Sequence, residues 1–272
     1  MNYVISLLKD VVAKRRLIAD LAKADFRKRF VGSYFGVVWM FVQPMVTVAI
    51  YYFVFGIGFR NANPIEGVPY VLWLVPGIVP WFYFSEALNA GTNCLQEYSY
   101  LVKKVVFRVE ILPIIKILSC LIVHLIFVVI MAGLCLCFGW APRATWVQAL
   151  YYTMAATVYA LGMVYFTCAV QVFFKDMSQI VSICLQFGMW LIPIMWQEEQ
   201  FADRAVYPLL SVILKVNPMY YIVVGYRDSM LLGNWFWQRP TLTLYFWGVT
   251  VCMFLVGLKV FKRLRPHFSD VL

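Results

Sequence analysis

Apolar residues run along this chain in long blocks separated by short clusters of charge. A hydrocarbon core about 30 Å thick asks for roughly 20 apolar residues per helical crossing. Six segments approach or exceed that length: about 35–58, 69–90, 111–138, 147–173, 178–196 and 242–261. Two further runs, 205–216 and 219–232, are too short to cross and read as re-entrant or interfacial helices. Ahead of the first span, Val4, Leu8, Val11, Ile18 and Leu21 recur at helical intervals among Lys9, Lys14, Arg15, Arg16 and Lys23. That pattern predicts an amphipathic helix over 1–30, its apolar side in the membrane interface and its cations toward headgroups and water. The expected architecture is an all-α integral membrane protein. It has six transmembrane helices, an N-terminal amphipathic interface helix, and short re-entrant helices between the fifth and sixth spans.

Proline modifies this picture at two places. Pro44 lies inside the first span as a kink or packing feature. In the second, "VPGIVPWFYFS" holds Pro76, Gly77 and Pro80, which argues against a straight regular helix. Irregular backbone at membrane depth has to be buried in protein or face a watery cavity.

Composition agrees with the pattern: 63% of residues are hydrophobic and 13% charged, against about half and a quarter in soluble domains. A single transmembrane domain over 1–272 is expected, with 1–30 as its interface helix and an external re-entrant segment at about 203–232. The net charge of +10 reads as topology rather than nucleic-acid binding. With both termini inside, seventeen of the 23 Lys and Arg residues fall on the inner side and six outside, which predicts an N-in, C-in orientation in a cytoplasmic membrane. The basic first thirty residues do not read as a cleavable signal peptide.

Seven cysteines without a C-x-x-C pair and two histidines give no metal or disulfide pattern. No phosphate-binding G-x-x-x-x-G-K-[ST] loop occurs, so ATP and magnesium are expected on a partner subunit and no cofactor on this chain. A catalytic site would need converging acids, bases or metal ligands. The spans offer only Glu86, Lys116 and His124, for which helix pairing, snorkelling or packing is an adequate account.

Between the second and third spans, Tyr100, Leu101, Val102, Lys103, Lys104, Val105, Val106, Phe107, Arg108 and Glu110 interleave cations with hydrophobes. Anchoring explains the charges, whereas a docking surface also explains the Val and Phe. Most of the abundant aromatics are expected in interfacial belts. A minority along a pathway would suit sugar rings, and the candidates are Tyr34, Trp39, Tyr51, Trp81, Tyr83, Trp190 and Trp196.

Four motifs then carry a resemblance: "FRKRFVGSYFGVVWMFVQP" (26–44), "PGIVPWFYFS" (76–85) with "LVKKVVF" and "EILP", "FFKDMSQIVSICLQFGMWLIPIMW" (173–196), and "NPMYYIVVGYRDSML" (217–231). In this order the chain resembles the membrane subunit of ABC-2 type exporters of polysaccharides and polyol phosphates, the O-antigen, capsule and teichoic acid group. It departs where Arg108 replaces a Pro common after the Phe, and where Lys175 replaces an Arg frequent before the Asp. The resemblance implies a homodimer bound to two cytoplasmic ABC ATPase subunits in a bacterial inner membrane, exporting a polyprenyl-diphosphate-linked glycan amid membrane lipids. It makes Tyr100–Glu110 an ATPase-coupling element and spans one and five the pathway lining. Arg27, Lys28 and Arg29 become candidates for the lipid diphosphate, although membrane anchoring accounts for the same charges. Tyr220, Tyr221 and Arg227 become candidates for an external gate. A drug or lipid exporter of the same layout, and a membrane-bound transferase of lipid-linked sugars, are the alternatives.

Overall fold

A computed structural model describes residues 2–29, 34–58, 67–102 and 108–272, and among these every regular element is helical. Five helical segments are long and apolar enough to cross a membrane: Gly36–Gly58, Tyr70–Thr92, Ile111–Cys137, Ala144–Phe173 and Pro240–Val271. They are the expected first, second, third, fourth and sixth spans. The fifth, Met177–Leu191, is shorter than expected. Fifteen residues rise about 22 Å, less than the hydrocarbon core. Pro193 is the reason: the residue before a proline is driven out of the α region, and Ile192 is extended at φ −74°, ψ 137°.

The second span corrects the expectation of an irregular backbone. It is one continuous α-helix from Tyr70 to Thr92 with Pro76 and Pro80 inside. The protein around it makes this tolerable, since Leu72, Leu74, Ile78 and Ala87 lie at the centre of the core. A membrane helix keeps internal prolines where neighbouring groups can serve the carbonyls they strand.

The fourth and sixth spans approach backbone to backbone. A Cβ on Gly162 would sit 2.9 Å from the Phe254 backbone, and one on Gly257 would collide with the Gly162 carbonyl oxygen. Tyr165 then packs edge-on to Phe254 and Phe261 across the seam. Small residues at such crossings maximise dispersion contact where lipid removes the hydrophobic driving force.

The re-entrant helices are present as Tyr207–Val216 and Pro218–Leu232, bent by 95°. Asn217 makes the break: its side chain accepts a hydrogen bond from the Met219 amide at 3.0 Å, and Pro218 takes the first helical position. The second arm ends at Gly233, whose positive φ of 80° suits a residue without Cβ.

The N-terminal segment is two helices, Asn2–Ala13 (α1) and Arg15–Lys28 (α2). The protein covers part of the apolar side of this segment and leaves part of it exposed. In α2 the protein covers Ile18, Ala22 and Asp25, while Val12 of α1 and Leu17 of α2 remain exposed.

Replacing Gly257 with Ala is expected to destabilise the protein by about 1–3 kcal/mol through overpacking. Gly248→Ala, where an added Cβ meets nothing within 4 Å, is expected to stabilise the helix by about 0.5–1 kcal/mol. Thermal unfolding in one detergent would compare the two.

Candidate functional site at the two ends of the second span

Two polar clusters lie at opposite ends of the second span. At the α1–α2 end, the Lys116 ammonium of the third span bonds Asp25 of α2 at 2.7 Å and Glu97 at 2.6 Å. Tyr98 donates its hydroxyl to Asp25 at 2.5 Å. Arg29 pairs with Glu86 of the second span, lies 3.6 Å from Asp25, and donates to the Cys120 sulfur at 3.0 Å. Glu86 and Lys116 are thus helix-pairing residues. Burial pushes the Asp25 carboxyl up, but the hydrogen bonds from Lys116 and Tyr98 and the Lys116 charge outweigh it. The net direction is below the usual carboxylate range. The Tyr98 hydroxyl is pushed up by burial and by its bond to Asp25.

This cluster redistributes the coupling candidates. Tyr100 is exposed and Leu101 half-buried, but Val102 is buried. Lys103, Lys104, Val105, Val106 and Phe107 lie outside the described residues. Arg108 pairs with Asp10 of α1 and donates to the Ser6 hydroxyl at 3.0 Å. Glu110 is fully buried and bonds Arg265 at 2.5 Å, which ties the C-terminal segment to the foot of the third span. Val102 and Glu110 are therefore internal, not parts of an open docking surface. Of the diphosphate candidates, Arg27 and Lys28 are exposed, with Lys28 5.9 Å from the Tyr98 ring centre. Arg29 is held by its ion pairs, so it is not free in the way the other two are.

The aromatic candidates also divide. Trp81 and Tyr83 are buried in the core. Trp81 lies against Gly188, where an added Cβ would come within 2.9 Å of the indole, and Tyr83 bonds Thr157 at 2.8 Å. Each nonetheless borders a cavity, Tyr83 one of 520 Å³ beside the first span and Trp81 one of 290 Å³ beside the fifth. Tyr51, Trp190 and Trp196 gather between the first and fifth spans. Tyr51 donates to the Met189 sulfur at 3.7 Å, Phe55 contacts Trp190, and Trp196 bonds the Trp190 carbonyl at 3.1 Å. Tyr34 and Trp39 are exposed near the other end of the first span.

At the re-entrant end, Arg227 is buried and joins three elements. It donates to the Pro193 carbonyl at 2.7 Å, the Ile194 carbonyl at 2.8 Å and the Trp73 carbonyl at 3.2 Å, with its guanidinium carbon 3.5 Å from the Trp73 ring centre. Tyr70 completes the set by donating to the Met195 carbonyl at 2.6 Å. Three consecutive carbonyls beyond the fifth span, stranded where the helix ends, thereby receive donors. Gly77 leaves the space: a Cβ there would sit 2.6 Å from the guanidinium. Asp228 pairs with Arg239 at 2.7 Å rather than with Arg227. Tyr220 bonds Glu198 at 2.8 Å, and Tyr221 sits in a ring cluster bonded to Tyr151 at 3.0 Å. Tyr220 and Arg227 line a 380 Å³ cavity at this end, but Tyr221 does not.

Sequence reasoning missed the Arg227 staple, although two signals were there: a lone arginine within an apolar run, and Pro193 at the end of an apolar helix. It missed Asp25 as well, since nothing in residue type separates it from Asp10 and Asp20 in the same basic segment or hints at its depth.

These features define a multi-pass, all-helical membrane protein with a re-entrant helix pair at one end and an N-terminal helix pair at the other. The model of the ABC-2 type transporter family matches residues 17–231, and the chain belongs to that family. It is 24% identical to an O-antigen export system permease protein, RfbA, of Klebsiella pneumoniae, over 94% of this chain and 95% of the relative. A protein of the same description from Myxococcus xanthus is 23% identical over 98% and 99%.

Substituting Arg227 with Ala leaves the Pro193 and Ile194 carbonyls without these donors and is expected to cost roughly 2–5 kcal/mol. Lys, a point charge without a planar fork, recovers only part of it. Urea unfolding of both variants in detergent would measure this. Because the Asp25 carboxyl is depressed by folding, its contribution is present above the ordinary carboxylate range and is lost as pH falls through its folded value. Asp25→Asn is expected to flatten that acid-side loss in melting curves taken across pH.

Proposed function

We propose that this chain is the membrane subunit of an ATP-driven exporter that moves a polyprenyl-diphosphate-linked surface polysaccharide out across a bacterial inner membrane. The observation that carries this reading is similarity to O-antigen export permeases along nearly the whole of both chains.

Two copies of the chain form the exporter, and two ABC ATPase subunits dock on the α1–α2 side. The termini lie in the cytoplasm, as the distribution of cations favours. Met40 is the sole buried residue of the Gly36–Tyr51 helix, and Val181 and Leu185 are those of the fifth span. Such bare faces with clustered aromatics suit a contact with a second copy and a glycan path between the two. Tyr100 with Lys103, Lys104 and Phe107 supplies the coupling contact, and Arg108 holds α1 beside it. ATP binding on the partner shifts α1 and α2, and the ion pairs of Arg29 with Glu86 and of Asp25 with Lys116 pass that motion to the second and third spans. Arg27 and Lys28 attract the lipid diphosphate, while the re-entrant pair closes the exit.

The test is ATP hydrolysis by the chain with its cognate ATPase in nanodiscs, with and without the cell's own lipid-linked glycan. Glycan-dependent stimulation is expected, with its loss in Lys103→Ala/Lys104→Ala. Arg108→Ala, measured separately, is expected to loosen α1 as well. Stimulation by hydrophobic drugs and not by glycan would place the chain among drug or lipid exporters. Turnover of glycan without any ATPase would point to a transferase.

A further inference from the structure

We propose that the cavity at the re-entrant end is a subsite for one neutral sugar ring of the emerging glycan. Trp196 is its apolar face, Glu198 accepts from one ring hydroxyl and Arg239 donates to another. The ligand class rests on the export reading above and deepens it; the cavity and its unbonded polar atoms rest on geometry alone. The cavity holds 380 Å³, within the range of about 300–1,000 Å³ usual for small-molecule sites. Three elements frame it: the segment after the fifth span, the second re-entrant arm, and the turn into the sixth span.

Two of the charged side chains at this cavity use only part of their bonding capacity. Glu198 accepts the Tyr220 hydroxyl at Oε2, at 2.8 Å, while its Oε1 has no bond among the described residues. Arg239 gives Nε and Nη2 to Asp228 at 2.7 and 3.3 Å, while its Nη1 bonds nothing among the described residues. Neither side chain is closed off: Glu198 is half-buried, and that of Arg239 is 39% exposed. The other two charges are engaged. Arg227 serves the carbonyls of Pro193, Ile194 and Trp73, and buried Asp228 serves Arg239 and Asn234. A ligand thus meets one open acceptor and one open donor. Hydroxyls on a ring satisfy both, since each can donate and accept, and a charged partner strengthens the bond.

Charge balance selects a neutral ligand. Arg227 and Arg239 face Glu198 and Asp228 around the same space, two charges of each sign. A phosphate would set its charge against Glu198, which is in no ion pair among the described residues, and an ammonium would meet the two guanidiniums. A lipid tail would leave the open donor and acceptor without partners, at a desolvation cost. Trp196 supplies the apolar surface against which the C–H face of a pyranose rests. Its indole N–H is held by the Trp190 carbonyl at 3.1 Å, and Phe201 packs edge-on to its ring. The indole is therefore oriented before a ligand arrives, which lowers the cost of binding. A seated ring bridges the segment after the fifth span and the turn into the sixth, so the subsite grips the glycan where the exit closes.

Saturation-transfer NMR tests this on the chain with its ATPase in nanodiscs, using short oligosaccharides released from the cell's own surface polysaccharide. Without a lipid, these probes report the subsite separately from the stimulation of ATP hydrolysis by lipid-linked glycan. Ring protons of the oligosaccharide are expected to receive saturation from the wild type. Trp196→Ala, and Glu198→Gln in which the acceptor loses its charge, are each expected to weaken binding about tenfold. Trp196→Phe, which keeps an apolar ring, is expected to stay within about threefold of the wild type. Equal binding by the wild type, Trp196→Ala and Glu198→Gln overturns the subsite. So does the absence of any signal from a wild-type complex whose ATP hydrolysis responds to lipid-linked glycan, and the export reading then stands without it. Binding that follows the variants in a complex whose hydrolysis ignores the lipid-linked glycan keeps the subsite and removes the export reading. Displacement of the oligosaccharide by glycerol phosphate at a lower concentration than by free oligosaccharide assigns the cavity to a lipid headgroup and overturns the sugar.

Discussion

The guanidinium of Arg227 is the contact on which the re-entrant end of the protein depends. Within a bilayer each backbone carbonyl needs a donor, and a helix that stops early strands several at once. Pro193 stops the fifth helix, and Arg227 answers the carbonyls of Pro193 and Ile194 while reaching Trp73 on the second span. Five planar N–H groups serve this purpose where a lysine would not. Gly77 is part of the same device, since its missing side chain is where the guanidinium sits. The second span, the end of the fifth and the re-entrant pair are thereby one mechanical unit.

At the other end the logic is similar but the partners are charges. Asp25, Lys116, Glu97, Arg29 and Glu86 hold α2 against the second and third spans. Buried ion pairs are a poor source of net stability, but separating their members is costly. Such a network suits an element that must move as a body with the spans it touches. The second span carries both clusters, with Trp73 near one end and Glu86 near the other, and its burial over most of its surface makes it a rigid strut between them.

The layout of the spans was legible in the sequence because bilayer thickness imposes a length on apolar runs, and neither the re-entrant pair nor the first and third spans needed tertiary information. The fifth span was overextended because hydropathy continues through "LIPIMW" while the backbone does not. The prolines of the second span misled in the opposite sense. They weaken a helix locally, yet the surrounding helices keep it continuous. Among the site candidates, Trp81, Tyr83, Val102 and Glu110 could not be placed from residue type, since an aromatic or a carboxylate at a span end reads alike whether it faces outward or inward.

The sequence by itself therefore determined that the chain crosses a membrane several times, where it crosses, and which family it resembles. Those properties follow from residue hydropathy, length and local motif order. Only the tertiary structure decided which polar groups meet: Arg227 with the carbonyls of Pro193 and Ile194, α2 with Lys116 through Asp25, and His124 with Tyr226. Pairing across 34 to 102 residues of chain depends on how the helices rotate and pack, and no local pattern encodes that rotation.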